Sequence, residues 1–333
     1  MKIVPARIHR LWFGLAEKIS TAFFIGKIAA ATITVVFFFY LGGAFYYHSF
    51  PRMFEVKQVK GKEGSAYTGA LVKIAEEMTG NWMPNDLIWP TILLDNPQNF
   101  QLGELEAMRH AIRMLRDNFS RLRTTDRIDK NVEKAFVGFS NDPFKWIFPS
   151  AENRYQYGLD GLRDYALNLA TEKNSKTQSH FYPRSDNLVD FLKQFLSLLG
   201  GVSNRLANAP RDRDTRLSEE TAGDTTITGE KRIIHATPWS EIDDNFYFAR
   251  GTLYVLRHLM VATKHDFRQV LENKKSMELV DAIIETLDRT QFDPIFIANG
   301  GLGSLVANHS LQLQALLEDS RQKMRSLQSI LEQ

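Results

Sequence analysis

WSEIDDNFYFARGTLYVLRHLM, residues Trp239–Met260, is the stretch whose spacing decides the fold. Trp239, Ile242, Phe246, Ala249, Leu253, Leu256 and Met260 recur at steps of three and four, which places them on one face of a helix and predicts an unbroken seam in a helical bundle. Thr237 and Pro238 precede the run, a hydroxyl suited to capping followed by proline in the first turn. A second set follows the same spacing beside the seam: Asp243, Tyr247, Arg250, Tyr254 and Arg257. Tyrosines are rigid contacts and arginines forked donors, so this stripe is the candidate surface for an anionic or polar partner. A hydrogen-bonded polar layer between packed helices is the competing and more economical reading.

The same periodicity continues outward. Leu102, Leu105, Met108, Ile112, Leu115, Phe119 and Leu122 form one apolar stripe, and Val306, Leu313, Leu317, Met324, Leu327 and Leu331 form another at the end of the chain. The terminal stripe is a candidate seam for self-association. Further helices are predicted over YTGALVKIAEEM, from near Thr125 and Asp126, from Ser150 to about Thr171, from Asp186 to Leu199 with Gly200 and Gly201 as a stop, after Asp266, and from Ser276 to Leu287. The loop Gly138–Pro149, GFSNDPFKWIFP, is rich in aromatics that are expected to cover a core. With no convincing alternating strand, the fold expected is all-α: a single N-terminal transmembrane helix followed by an antiparallel helical-bundle domain.

Ile28–Tyr47 (IAAATITVVFFFYLGGAFYY) holds 20 residues without a formal charge. At about 1.5 Å per residue such a helix matches the roughly 30 Å hydrocarbon core of a bilayer. A cleaved signal peptide is the main competitor, but 27 residues precede the run and no small-x-small site follows it, so an uncleaved anchor is expected. Basic residues before the span (Lys2, Arg7, Arg10, Lys18, Lys27) slightly outweigh those after it (Arg52, Lys57, Lys60, Lys62), favouring a cytoplasmic N-terminus and a periplasmic domain. The organisation expected is a basic, amphipathic N-terminal segment 1–27, a transmembrane helix 28–47, a stalk 48–65, a first helical half 66–208, a charged linker or insertion 209–237 and a second helical half 238–333.

Bulk composition excludes several classes. The 333 residues, 44% hydrophobic, can bury a substantial core. Forty-one basic against 39 acidic residues give a net charge of +2, too balanced a surface for gripping nucleic acid. The absence of cysteine removes disulfides, thiolate metal sites and a cysteine nucleophile together. His110, His180, His235, His258, His265 and His309 are scattered, and Glu106 with His110 reads as an intrahelical pair, so no metal is expected. NGGLGS, Asn299–Ser304, matches no phosphate-loop pattern and reads as a turn. No catalytic or cofactor-binding residue is assigned and no cofactor is expected. An enzyme would have to use acids such as Glu104, Glu106, Asp243 or Asp244.

Several runs resemble a bacterial membrane protein family, domain of unknown function 2333: Asn85–Asp129, Asn141–Gly158, His180–Leu192, Asp243–Phe267 and Asn299–Ser320. The resemblance covers about Asn81 to Leu317, without matching Pro210–Ile233. It implies a Gram-negative bacterial membrane protein and supplies no catalytic residues. Together these readings predict a single-pass inner-membrane protein whose periplasmic domain binds or scaffolds an envelope protein partner. The alternatives are an enzyme acting on an envelope polymer or lipid, and, with reversed topology, a cytoplasm-facing adaptor.

Overall fold

The structure is a computed structural model that describes residues 6–47, 50–59, 62–87, 94–123, 125–170, 179–208, 241–294, 296–300 and 307–333. The charged segment 209–237, His235, Trp239, residues 301–304 of the glycine-rich turn and Val306 lie outside the described residues. Two compact units are present, one holding α1 (Ala6–Tyr47) and one holding Phe50–Leu87 with Asp95–Gln333.

Within α1, Phe23–Gly43 has a mean hydropathy of 2.0 and is long and apolar enough to cross a membrane. Its large side chains, among them Ile33, Val35, Phe37 and Phe38, are exposed. Exposure of this kind suits a lipid-facing helix and is costly in water.

The second unit is built from α2 (Ser65–Gly80), α3 (Asp95–Met114), α4 (Lys130–Phe139), α5 (Ala151–Ala170), α6 (Ser185–Asn208), α7 (Ile242–Asp266), α8 (Arg268–Asn273), α9 (Met277–Arg289) and α10 (His309–Glu332). Among the described residues there is no strand, only an isolated bridge between Asn299 and Asn308. The all-α bundle expected from the periodicities is the architecture. α7 is its centre, packed against α2, α3, α6 and α9, so helices on both sides of segment 209–237 share one core. Most neighbours are antiparallel: Ser203 of α6 meets Gln314 of α10 while Ser185 meets Leu331, and Arg257 and Lys264 of α7 meet Asp288 and Asp281 of α9. α3 and α7 run in the same direction, joined at their starts by Asn99 and Asp244 and at their ends by the rings of Phe119 and Phe267. They approach so closely that a Cβ added to Gly103 would lie 2.0 Å from the Phe248 carbonyl oxygen, and one added to Gly251 would lie 2.0 Å from that of Phe100.

Several boundaries depart from expectation, each for a local reason. The helix expected near Thr125 begins at Lys130, because the Asp129 carboxylate accepts from the Asn131 and Val132 amides. α6 passes through Gly200 and Gly201 to Asn208: Val202 and Leu206 are buried beyond them, and Gly200 leaves room for the Arg321 guanidinium of α10. α3 is prolonged by a π-helical turn over Leu115–Phe119, which carries the apolar stripe to Phe119 but leaves Leu122 exposed. The terminal stripe, Leu313, Leu317, Met324, Leu327 and Leu331, is buried inside the chain where α10 packs on α6 and α9. Assembly through those side chains would compete with folding.

The loop after α4 is the largest correction. Phe139 is buried, but Phe144, Trp146, Ile147 and Phe148 face solvent. The core here is covered by Phe139 and by Trp82, which both pack on Tyr155, and Trp82 donates from Nε1 to the Pro143 carbonyl at 3.0 Å.

Candidate functional site

Phe50–Val59 has no helix of its own; it lies extended along the whole of α7. Phe50 stacks on Tyr247 with centroids 5.0 Å apart, the Arg52 carbonyl faces the Tyr254 hydroxyl at 3.2 Å, and the Phe54 amide donates to His258 Nε2 at 3.3 Å. Gln58 donates to Asp266 Oδ1 at 3.0 Å. Eight steps of extended chain cover about 27 Å, and the helix from Tyr247 to Asp266 covers about 28 Å, so the two advance in register. Val56 is buried and Phe50 and Phe54 are half-buried, while Arg52, Met53, Glu55, Lys57 and Gln58 are exposed, so Arg52 holds the strap through its backbone carbonyl and Gln58 through its side-chain amide.

The polar stripe of α7 is the floor under this strap. Arg250 is buried, ion-paired to Asp293 at 2.9 Å, with its guanidinium 4.5 Å from the Phe50 ring centroid. Tyr247 reaches the same Asp293 at 3.3 Å. The Tyr254 hydroxyl also lies 3.0 Å from the Glu77 carboxylate, and Arg257 pairs with Asp288 at 2.7 Å. Asp243 stands apart at the first turn, beside Asp95 and Asp244. Four of the five stripe residues thus make internal contacts, three of them with the strap itself, in a polar layer of the kind that fixes register. Tyr254→Phe is expected to cost about 1 kcal/mol, the usual net value of one such bond, and to speed tryptic cleavage after Arg52 and Lys57. Unchanged cleavage would mean that the hydroxyl does not hold the strap.

Electrostatics follow burial. His258 is completely buried, bonded from Nδ1 to the Tyr254 carbonyl at 2.8 Å and stacked on Phe54 at 4.0 Å; burial pushes its pKa down to about 4, so the ring is neutral. The Asp266 carboxylate accepts from the Tyr67 amide at 2.7 Å and the Ala66 amide at 3.4 Å, capping α2 while holding the strap, and burial pushes it up to about 6. Asp244 is likewise raised to about 6 by burial and by Asp243, Asp95 and Glu241.

The acids named for an enzymatic reading fall in three places. Glu104 is buried beneath α7, its pKa raised well above the usual value by burial and then by the neighbouring Glu77. Glu106 faces elsewhere, 3.5 Å from His110 and 3.6 Å from Arg109. Asp243 and Asp244 sit at the start of α7, where the Asn99 amide donates to Asp244 at 2.6 Å. Among the described residues no three His, Asp or Glu side chains converge as a metal-ligating set. The cavities beside the strap are shallow and lined by Gln58, Arg257, His265 and Asp266 among others.

Sequence reasoning missed the strap and its deeper contacts, Phe54, Gln58, His258 and Asp266. One signal was present: Phe50, Phe54 and Val56, the large apolar residues that turn inward, fall at even spacing in a short segment, as in an extended strand. His258, four residues beyond Tyr254, extends the stripe on the same face.

In comparison with known families, residues 22–333 match a model described as an uncharacterized protein conserved in bacteria, DUF2333. No curated protein and no solved structure matches the chain.

Proposed function

This chain belongs to that bacterial family, and from this premise we propose that it is a single-pass inner-membrane protein whose helical domain serves in the periplasm as a binding or scaffolding module of the envelope. The strap along α7 is the observation that carries the reading. Only two residues, 48 and 49, separate α1 from Phe50, and the strap is zipped to the domain over Phe50–Gln58, so the chain between α1 and the domain is short. Such a short tether keeps the domain concentrated beside its neighbours in the envelope, which suits a binding or scaffolding module. Tyr247, Arg250 and Tyr254 of the α7 stripe are covered by the strap, which leaves the half-buried Asp243 and Arg257 as the members of the candidate interaction stripe open to a partner.

Crosslinking and co-purification of the full-length chain, tagged after Gln333 and set against an α1-only control, are expected to recover a stoichiometric envelope protein that requires the domain. Recovery of the chain alone would sink the scaffold reading. A reporter fused after Gln333 is expected to be active only in the periplasm; a cytoplasmic signal would replace this reading with that of a cytoplasm-facing adaptor.

A further inference from the structure

The loop after α4 presents four large apolar side chains outward from a fixed backbone. Phe144 is 59% exposed, Trp146 55%, Ile147 45% and Phe148 89%. Leu87, at the end of the neighbouring segment, is 53% exposed. Leaving side chains this apolar in water is unfavourable, and four of them exposed within residues 144–148 mark a candidate binding surface. The backbone beneath it is pinned. Pro143 accepts from Trp82, and the Lys145 carbonyl accepts both from the Asn85 amide at 3.1 Å and from the Ala151 backbone at 2.7 Å. The Asp142 carboxylate accepts from the Phe144 amide at 3.0 Å. Phe148 has φ +44°, a region that bulky residues rarely enter and that persists where the surroundings over-determine it.

Its place in the unit indicates the occupant. From Phe50, where the chain enters the domain, contacts run to Phe100 at the start of α3. Gln101, the next residue, bonds the Asn81 carbonyl and the Met83 amide. Trp82 and Asn85 of that same segment hold the loop. Entry point and aromatic loop therefore share one end of the unit, the end where α2 finishes and α3 and α7 begin. Leu122, Tyr67 and Asp266 mark the opposite end, where the strap finishes and α2 starts.

We propose that Phe144, Trp146, Ile147 and Phe148 dip into the interfacial layer of the bilayer that α1 spans, making a second, non-covalent foot for the domain. The proposal rests on the reading of Phe23–Gly43 as a membrane span. Tryptophan favours the headgroup boundary and phenylalanine buries its ring at the edge of the acyl region, and the exposed Lys145 among them suits an anionic lipid surface. With α1 ending two residues before the strap, the loop meets the membrane at high effective concentration, so even a weak insertion is populated.

The natural absence of cysteine makes a direct test simple. Three single-cysteine full-length variants, Ile147→Cys, Leu122→Cys and Val36→Cys, are labelled with an environment-sensitive dye. They are reconstituted in vesicles of phosphatidylethanolamine and phosphatidylglycerol with or without nitroxide-labelled lipid. The expected result is a blue-shifted label at 147 that loses most of its emission to the lipid nitroxide, a water-like and unquenched label at 122, and a deeply buried, quenched label at 36. A water-like label at 147 with a buried label at 36 would overturn the foot while leaving the span standing. A blue-shifted label at 147 without lipid quenching would overturn it in favour of a protein contact. A water-exposed label at 36 would remove the span, and the foot with it.

Discussion

Gly251→Ala is expected to lower the stability of the domain by about 3 kcal/mol, the upper end of the usual cost of overpacking. In a domain of this size that is a fall of roughly 10 °C in Tm. The added methyl carbon would lie 2.0 Å from the Phe100 carbonyl oxygen and 3.1 Å from the Glu104 nitrogen, and both of these are backbone atoms of α3 that cannot rotate away. Relief requires the two helices to part along their crossing. Parting them weakens the Thr252 hydroxyl bond to the Gly103 carbonyl, at 3.2 Å, and shifts Arg250 and Tyr254 beneath the strap. Gly69→Ala supplies the contrast. That position lies in α2, is exposed, and has nothing within 4 Å of an added Cβ, so the same substitution there is expected to stabilise by up to about 1 kcal/mol through helix propensity. Urea denaturation midpoints of the two variants against the parent decide the matter. Equal midpoints would mean that α3 and α7 do not cross at Gly103 and Gly251.

The contrast between these two glycines shows which parts of the fold are legible in sequence. Phe246, Ala249, Leu253, Leu256 and Met260 recur at helical spacing and are all fully buried, because a repeating side-chain pattern is what defines a helix face. Gly251 sits within that pattern without any mark that distinguishes it from Gly69; its role depends on a backbone atom of another helix, and no local spacing records such an atom. The strap is hidden for the same reason. Its bonds use the Arg52 carbonyl and the Phe54 amide, groups that every residue carries. The polar stripe of α7 was readable as a stripe, whereas its occupant, some 200 positions away in the chain, was not. The aromatic loop misled in part because aromatics usually signal burial: Phe139 is buried, together with Trp82 from outside the loop, while Phe144, Trp146, Ile147 and Phe148 are exposed.

The second large effect is a dependence of strap docking on pH, centred on His258. Its Nε2 accepts the Phe54 amide while Nδ1–H donates to the Tyr254 carbonyl, an arrangement that only the neutral ring satisfies. Protonation removes the acceptor and places a charge in a fully buried site. With a folded pKa of about 4 against 6.5 in the unfolded chain, the neutral ring contributes its full stability above about pH 6.5. That contribution is lost as pH falls toward 4 and amounts to about 3 kcal/mol over the interval. Asp266 and Asp244 act in the opposite sense: their folded pKa values are raised to about 6, so the folded state takes up protons first on acidification and they offset part of the loss. The wild-type profile alone therefore understates the histidine. His258→Gln isolates it, since the amide oxygen can still accept from Phe54 and does not titrate. Between pH 7 and 4 the wild type is expected to lose about 3 kcal/mol relative to the variant, with amide exchange over residues 50–59, corrected for its intrinsic pH dependence, rising in the wild type first. Parallel stability curves and equal exchange would show that the neutral ring of His258 does not hold the strap.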